Sequence, residues 1–280
     1  MQTTNPAATE HPAAPSQSLV QVQIDHGVAV LTLCNPPANT YSFEMMQALD
    51  AAILRARFDD SVHVILLCGA GERFFCAGAD IAMLDRVTPS FKYNFCLHAN
   101  ETLLRIENTA KLVIAALNGH TVGGGLEVAL AADLRIAPSG GRFKIGLPEV
   151  ALGVLPGTGG TQRLSRLIGK SRAIELMAKG QNVDVSEALR LGLVNELIEP
   201  AAGESFLTAA LRYARGFCPP GRASMAVGRI KRAVQAGSEQ SLESGLALER
   251  ELQQQLFQSS DAREGLRAYV EKRAPQFSGQ

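Results

Sequence analysis

Short apolar runs that end in or lead to glycine are the feature that most restricts the fold of this chain. VHVILLCG covers residues 62–69, and KLVIAAL covers residues 111–117, just before a glycine cluster. Apolar runs of this length, rich in β-branched residues, predict strands that are buried on both faces, as in a parallel sheet covered by helices. Apolar residues at helical spacing precede each run, at 43–60 and at about 90–109. This alternation predicts an α/β protein.

The strand–strand–helix pattern recurs along the first two thirds of the chain. Residues 19–33 predict a β-hairpin with its turn at Asp25-His26-Gly27, and Ser42 is a candidate N-cap for the helix that follows. Further along, a helix is predicted at about 125–132 and a strand at 134–137.

The pattern changes near residue 200, after which helical spacing dominates. We therefore predict a core at residues 18–200 and a helical region at residues 201–280. Residues 1–17 are mostly Pro, Ala, Thr and Ser, which bury too little apolar surface to offset the entropy of ordering. They predict a flexible tail.

Charge and residue usage exclude several classes of function. The chain has 27 basic and 27 acidic residues, so it lacks the basic excess that a broad grip on nucleic-acid phosphates requires. It has no run of about 18 apolar residues, so no membrane span is expected. The five cysteines lack a CxxC pair and the five histidines lack an HExxH pair, so neither a disulfide framework nor a metal site is expected. The first basic residue is Arg55, which fits neither a secretory nor a mitochondrial signal, and a cytoplasmic setting is expected.

Two glycine-bearing turns are candidates for binding an oxygen atom of a ligand. GERFFCAGADI (71–81) follows a predicted strand, and its small residues leave backbone N–H groups accessible. In NGHTVGGGLEVALAAD (118–133), Gly123–Gly125 lead into a helix whose first turn contains Glu127. A helix N-terminus presents unpaired N–H groups and a partial positive charge, which suits a developing oxyanion. The alternatives are an ordinary strand–helix connection for the first turn, and tight glycine packing with a dipole-complementing glutamate for the second.

A second glutamate and a terminal helix complete the candidate features. Glu149 lies in a stretch with apolar residues on both sides. Burial there would raise the pKa of its carboxyl group and make it a proton donor near neutral pH, whereas in a surface loop it would have no such role. Gly169-Lys170-Ser171 does not form a Walker loop, because that pattern requires glycine at position 164, which is leucine. In residues 261–277, basic residues flank Tyr269. This basic and aromatic patch is either a solvated helix face or a contact for a phosphorylated ligand.

Together the segments CAGADI, NGHTVGGGLE, GLPEVALGVLPGTGGTQRL and DAREGLRAYVEKR resemble, in sequence and in order, the enoyl-CoA hydratase/isomerase (crotonase) superfamily. The resemblance covers about residues 19–277. It implies an α/β fold in which a crotonase-type spiral of ββα turns precedes a C-terminal helical region that builds trimers, commonly paired into hexamers. It also implies an acyl-CoA substrate and no separate cofactor, since coenzyme A is part of the substrate.

The resemblance implies roles for particular residues. The backbone N–H groups of Ala79 and Gly124 would hold the thioester oxygen. Glu127 and Glu149 fill both carboxylate positions of the hydratases, which implies addition of water across the 2,3 double bond of an enoyl-CoA, with Glu127 as base and Glu149 as acid. The loop Ala77–Ile81 would hold the adenine end of coenzyme A. The implied substrate-binding residues are Ala77, Asp80, Ile81 and Ala82, together with Tyr269 and Lys272, which would reach the coenzyme A of a neighbouring subunit.

The sequence departs from the family pattern at Ala82, where many hydratases carry a lysine that contacts the phosphates of coenzyme A. Two other reactions stay open within the family: double-bond isomerisation, for which Glu149 alone would suffice, and hydration of a cyclic or branched acyl group. A catalytically idle scaffold is disfavoured because both glutamates and both oxyanion positions are intact.

Overall fold

The structure is a computed structural model that describes residues 18–280. The predicted flexible tail, residues 1–17, lies outside the described residues. β1 (Val20–Asp25) and β2 (Val28–Leu33) pair antiparallel, with His26 and Gly27 between them. The predicted hairpin is therefore confirmed.

One six-stranded sheet forms the centre of the fold. β3 (Val64–Gly69) and β5 (Leu112–Ala116) are buried at every residue, as their apolar runs predict. β7 (Leu134–Pro138) and β10 (Glu196–Ile198) complete the sheet, whose strand order is β1-β2-β3-β5-β7-β10. Every pair beyond the hairpin is parallel, so β2 and the four strands after it share one direction.

Three strands of this sheet continue through a turn into short strands of a second sheet. β4 (Phe74–Cys76), β6 (His120–Val122) and β8 (Ile145–Gly146) follow β3, β5 and β7, and neighbours among them pair in parallel. β9 (Asn182–Val183) closes the four-stranded sheet antiparallel to β8. A helix or a helical turn follows each of these strand pairs. The chain thus repeats the ββα unit that the resemblance implies.

The main core lies between the sheets and three helices. α1 (Phe43–Phe58) begins at the predicted cap Ser42, whose hydroxyl accepts a hydrogen bond from the Met45 N–H at 3.3 Å. After the short helix α2 (Ile81–Leu84), α3 (Pro89–Glu107) packs against α1 and against α4 (Gly124–Ala131). The largest fully buried side chains of α1 and α3 are Met45, Met46, Leu49, Ile53, Leu103 and Ile106.

The elements after β8 are mostly helical. Besides β9 and β10, they are in chain order a 3₁₀ turn (Glu149–Leu152), α5 (Gly160–Ile168), α6 (Lys170–Lys179), α7 (Val185–Leu191), α8 (Phe206–Arg215), α9 (Ser224–Gly237), α10 (Leu242–Phe257) and α11 (Ser260–Glu271). The last four are the helices predicted after residue 200. Successive strand residues point to opposite faces, and α8 packs on the face of the six-stranded sheet opposite α1. The division into two regions at residue 200 stays a prediction.

A buried ion pair fixes α9 to the core. The Lys231 ammonium lies 2.9 Å from the Asp133 carboxylate and donates hydrogen bonds to the carbonyls of Ile106 and Lys111. Asp133 in turn accepts a hydrogen bond from the Val113 N–H at 2.7 Å. Burial lowers the pKa of Lys231 and raises that of Asp133, while their mutual attraction opposes both shifts. One lysine thereby joins α9 to the end of α3 and to the sheet.

Candidate active site

The two glycine-bearing turns predicted from the sequence meet in space. β4 and β6 are parallel neighbours, so the segments that follow them leave the sheet side by side. Gly78 has a φ of 91°, in the left-handed region that favours glycine. A Cβ atom on Gly78 would lie 3.0 Å from the backbone nitrogen of Gly124. The two turns therefore contact one another at these glycines.

The N–H of Ala79 is free to bind a ligand. Tyr41 forms an isolated parallel bridge with Ala79, in which the Tyr41 N–H donates to the Gly78 carbonyl and the Asp80 N–H donates to the Tyr41 carbonyl. Both bonds of the bridge use residues on either side of Ala79, so the Ala79 N–H points away from Tyr41. Across residues 18–280, no backbone hydrogen bond outside the regular elements uses this N–H.

The N–H of Gly124 is a second free donor. Gly123, the N-cap of α4, has φ 56° and ψ −137°, a conformation that glycine adopts readily and other residues do not. Its N–H donates to the Gly146 carbonyl at 2.9 Å and ties the start of α4 to β8. The first N–H groups of a helix have no acceptor within the helix and lie at the positive end of its dipole. Gly124, as the first helical residue, presents such a group.

Glu127 is a buried carboxylate held by backbone donors. Its side chain is 2% exposed, in the first turn of α4. One oxygen, Oε1, accepts hydrogen bonds from the N–H groups of Thr158 and Gly160, both at 2.7 Å. Within the described part of the chain, no hydrogen bond occupies the other oxygen, Oε2. The carboxylate is thus fixed by one oxygen and leaves the other for a ligand.

Glu149 is a half-buried carboxyl group with different surroundings. It begins the 3₁₀ turn, and its Oε1 lies 3.1 Å from the position of a Cβ on Gly123, next to the start of α4. Its Oε2 is buried without a hydrogen-bond partner among residues 18–280. Burial, assisted by the negative charge of Glu127, raises the pKa of Glu149 to about 7. The sequence-based expectation of a raised pKa agrees with this environment.

A brace that the sequence motifs do not single out holds Glu127 in place. The guanidinium group of Arg163 makes two hydrogen bonds to the Glu107 carboxylate, at 2.7 and 2.8 Å, and a third to the Thr158 carbonyl at 3.1 Å. A two-point pair of this kind has defined geometry. The brace runs from the end of α3 to the segment whose N–H groups bind Glu127. The motif GTGGTQR contains Thr158 and Arg163, but only its glycines give a sequence signal.

An apolar wall formed by α3 and the first residue of α1 adjoins the site. The rings of Phe43, Phe91 and Phe95 lie within 6.5 Å of one another, and Phe95 lies 5.9 Å from the ring of Tyr41. The Cys96 thiol lies 3.3 Å from the position of a Cβ on Gly157. The helix predicted at about 90–109 therefore supplies aromatic side chains next to the two turns.

The predicted residues for coenzyme A occupy the loop after β4 and the start of α2. Ala77 and Asp80 are partly buried, and Ile81 and Ala82 are exposed. The Asp80 carboxylate caps α2, accepting hydrogen bonds from the N–H groups of Ala82 and Met83 at 2.9 and 3.2 Å. Its side chain thus has a local structural role that the sequence motif does not indicate.

Tyr269 and Lys272 lie on the last helix, α11. Tyr269 is 86% exposed, and Lys272 is an exposed residue that ends the helix with a φ of 56°. The contacts described for Glu127 and Glu149 within residues 18–280 include neither side chain. Within one chain, the structure does not bring these two residues together with the carboxylates.

Three further properties of residues 18–280 bear on function. They contain no cluster of three or more His, Cys, Asp or Glu side chains that could hold a metal ion. None of the helices in this range has both the length and the apolar character needed to cross a bilayer. All five cysteines are free thiols.

The ββα spiral, the free N–H groups on two contacting turns and the two glutamates define a protein of the crotonase class. Residues 23–280 match the model of the enoyl-CoA hydratase/isomerase family, and the chain belongs to that family.

Individual proteins support the same assignment. The chain is 38% identical to the short-chain-enoyl-CoA hydratase of Clostridium acetobutylicum over 88% of this chain and 92% of the relative. It is 36% identical to the (E)-benzylidenesuccinyl-CoA hydratase of Thauera aromatica, over 93% and 99%. The crystal structure of an enoyl-CoA hydratase from Geobacillus kaustophilus superimposes with a TM-score of 0.89 at 44% identity, covering 95% of this chain and 98% of the other.

Proposed function

We propose that this protein is an enoyl-CoA hydratase, which adds water across the 2,3 double bond of an enoyl-CoA thioester to give a 3-hydroxyacyl-CoA. The observation that carries the proposal is the pair of carboxylates: Glu127 is held by two N–H groups, and half-buried Glu149 has a buried Oε2 without a partner among residues 18–280. The names of the relatives from C. acetobutylicum and T. aromatica, both hydratases of CoA thioesters, support the same reaction.

Glu127 is the proposed base. Because its Oε1 is bound to Thr158 and Gly160, Oε2 is the atom that takes a proton from water. The water oxygen forms a bond to C3 of the enoyl group. The electron pair of the double bond then moves towards the thioester, which becomes an enolate with its charge on the oxygen.

Ala79 and Gly124 are the proposed oxyanion donors. Their N–H groups belong to turns that contact one another, so both can point at one oxygen atom. Fixed donors of this kind stabilise charge that develops in the transition state, and the loss of one such donor typically costs about 3–4 kcal/mol. They would therefore lower the barrier to forming the enolate.

Glu149 is the proposed acid. With a pKa of about 7, a substantial fraction of its carboxyl groups is protonated near neutral pH. It delivers that proton to C2 as the enolate collapses, which completes the addition. The proton taken up by Glu127 then returns to Glu149 through solvent, so both residues regain their starting states and one water molecule is consumed.

Binding of the coenzyme A moiety is assigned to the loop Ala77–Ile81 and to Ala82, which border the Ala79 donor. In this proposal Asp80 acts by capping α2 and shaping the loop, and backbone groups contact the adenine end. Tyr269 and Lys272 would contact the coenzyme A of a neighbouring subunit, because both are exposed on α11.

A homotrimer, alone or paired into a hexamer, is the proposed assembly. Large apolar side chains are exposed on the last three helices, and monomeric proteins rarely leave extended apolar patches open. They are Ile230, Val234, Leu242, Leu246, Leu266 and Val270. Light scattering would give about 90 kDa or about 180 kDa for these assemblies. The proposed setting is the cytoplasm, where free thiols stay reduced.

The test is the loss of the ultraviolet band of the conjugated enoyl thioester in crotonyl-CoA. Wild type is expected to remove the band, and Glu127→Gln and Glu149→Gln are each expected to slow its loss by about 10²–10⁴-fold. Glu101→Gln, on the exposed face of α3, is the matched control and keeps wild-type activity. Circular dichroism checks that each variant is folded.

Two results would overturn parts of this proposal. If wild type leaves the band unchanged, short-chain hydratase activity is excluded. If Glu127→Gln keeps its activity on a 3-enoyl-CoA while Glu149→Gln loses it, Glu149 acts alone and the reaction is a double-bond isomerisation.

A further inference from the structure

Tyr41 is a buried residue that lies between the parts of the site without belonging to a recognised motif. It stands in the connection between β2 and α1, and its side chain is 4% exposed. Burial, assisted by the nearby charge of Glu127, raises the pKa of its phenol well above the usual value of 10. The group is therefore a neutral hydroxyl on a fixed aromatic ring.

The backbone of Tyr41 sets the position of the first oxyanion donor. Its N–H donates to the Gly78 carbonyl at 2.9 Å and its carbonyl accepts from the Asp80 N–H at 3.0 Å. These hydrogen bonds fix the residues on either side of Ala79. The direction of the Ala79 N–H thus depends on where Tyr41 lies.

The ring of Tyr41 sets the position of the second donor. A Cβ on Gly124 would lie 2.1 Å from the phenol oxygen and 2.6 Å from ring atom Cε1. Atoms that are not bonded to one another do not approach so closely, so the Tyr41 ring fills the space that a side chain at position 124 would need. It packs directly against the residue whose N–H is the second proposed oxyanion donor.

The hydroxyl of Tyr41 reaches the proposed base. It is hydrogen-bonded to the Thr158 hydroxyl at 2.8 Å, and both groups are buried. The backbone N–H of the same threonine donates to Oε1 of Glu127. Through Thr158, the phenol is linked to the carboxylate that would activate water.

We propose that Tyr41 is a positioning residue that holds the two oxyanion donors and Glu127 in one arrangement. Its backbone orients Ala79, its ring confines Gly124, and its hydroxyl fixes Thr158 against Glu127. The inference rests on the proposed hydratase function, in which all three groups act on one thioester. Tyr41 itself exchanges no proton with the substrate.

The hydroxyl is tested by removing it while keeping the ring. Tyr41→Phe is expected to lower kcat for crotonyl-CoA about tenfold, with KM within about twofold, because only the support of Glu127 is weakened. Thr158→Val is expected to do the same, and the double variant is expected to be no worse than either single one, since both break the same link. Thr158→Ser keeps the hydroxyl and is expected to restore most of the activity.

The ring is tested by a binding measurement that needs no turnover. Acetoacetyl-CoA forms an enolate, and its ultraviolet absorbance reports how well the site holds charge on the thioester oxygen. Tyr41→Phe is expected to bind this enolate as tightly as wild type. Tyr41→Leu, which removes the ring from Gly124, is expected to bind it about tenfold more weakly.

Tyr213→Phe is the matched control, because Tyr213 lies on α8 and packs on Phe217 away from the site. It is expected to leave kcat and enolate binding unchanged. Wild-type kcat in Tyr41→Phe, or multiplying effects of Tyr41→Phe and Thr158→Val, would overturn the link to Glu127. Unchanged enolate binding in Tyr41→Leu would overturn the role of the ring, and this result can be obtained even if wild type does not hydrate crotonyl-CoA.

Discussion

Glu127 and Glu149 carry the same chemical group in opposite surroundings. Oε1 of Glu127 accepts two backbone N–H bonds at 2.7 Å, whereas Oε2 of Glu149 is buried without a partner among residues 18–280. The charge of Glu127 adds to burial in raising the pKa of Glu149 to about 7. The site therefore combines a carboxylate secured by backbone donors with a carboxyl group that keeps its proton well above its usual range. An acid and a base that serve one substrate require such a division.

The first prediction concerns the pH dependence of activity. We expect kcat/KM for crotonyl-CoA to fall as pH rises through about 7, because only the protonated form of Glu149 can deliver a proton to C2. The apparent pKa belongs to the coupled pair of carboxylates. Rates measured well below KM between about pH 5.5 and about pH 9 give the profile. A rate that stays constant across this range would contradict the assignment of Glu149 as the acid.

The second prediction concerns stability. Because folding raises the pKa of Glu149 from 4.5 to about 7, ionising this group costs more in the folded protein than in the unfolded chain. The contribution of the protonated Glu149 carboxyl group to the free energy of unfolding is fully present below pH 4.5 and is lost as pH rises through about 7. Glu149→Gln cannot ionise and does not lose this stability. From pH 4.5 to pH 8, the free energy of unfolding of wild type should therefore fall by about 1–2 kcal/mol more than that of Glu149→Gln, a value reduced for the partial solvent access of the group.

Urea unfolding at the two pH values measures this gain. Comparing two pH values cancels the constant effect of placing an amide in the site. If the free energies of unfolding of wild type and Glu149→Gln change equally with pH, the carboxyl group is not desolvated, contrary to what the structure indicates.

The central strands could be predicted from the sequence because each is apolar on both faces and is buried against a layer of structure on each side. In β3, Val64, Leu66 and Cys68 face α8, while Ile65 and Leu67 face the main core. A strand with no polar face has one stable place in an α/β fold, the interior of a covered sheet. Local chemistry likewise predicts the Ser42 cap, since the hydroxyl and the N–H that it accepts are three residues apart.

The supports of the site could not be predicted in this way. The hydrogen bond between Tyr41 and Thr158, and the pair between Arg163 and Glu107, join residues that only the tertiary fold brings together. Neither pair has a spacing that a helix or a strand would impose. Asp80 is a motif residue whose side-chain contact could not be predicted either: the resemblance assigns it to substrate binding, and in the structure its carboxylate caps α2. A motif identifies which residues recur, and the contacts show what each side chain does.

The third prediction concerns the oxyanion donor at Gly124. Gly124→Ala would place a Cβ 2.1 Å from the phenol oxygen of Tyr41, so the turn or the ring must move. Either movement misaligns the Gly124 N–H, and we expect kcat to fall about 100-fold or more. Gly237→Ala is the control, because its Cβ would meet no atom closer than 3.9 Å. Activity within twofold of wild type in Gly124→Ala would exclude this N–H as a donor.

The fourth prediction concerns the ion pair that fixes α9. Lys231→Met removes the ammonium group and leaves the buried Asp133 carboxylate without its ion-pair partner, while the Val113 N–H and the Gln235 side chain still bond to it. An unpaired buried charge costs about 3–5 kcal/mol, so we expect a loss of this size in the free energy of unfolding. Lys179→Met, whose ammonium pairs with Glu175 on the surface, is expected to change stability by about 0.5 kcal/mol or less.

The pair predicts a partial rescue as well. In Lys231→Met/Asp133→Asn the buried charge is gone, so the double variant should recover part of the loss while the carbonyls of Ile106 and Lys111 still lack their donor. Urea unfolding of the two single variants and the double variant at neutral pH completes the cycle. If Lys231→Met costs no more than Lys179→Met, the contact at 2.9 Å does not stabilise the fold, and α9 must be held by its other contacts.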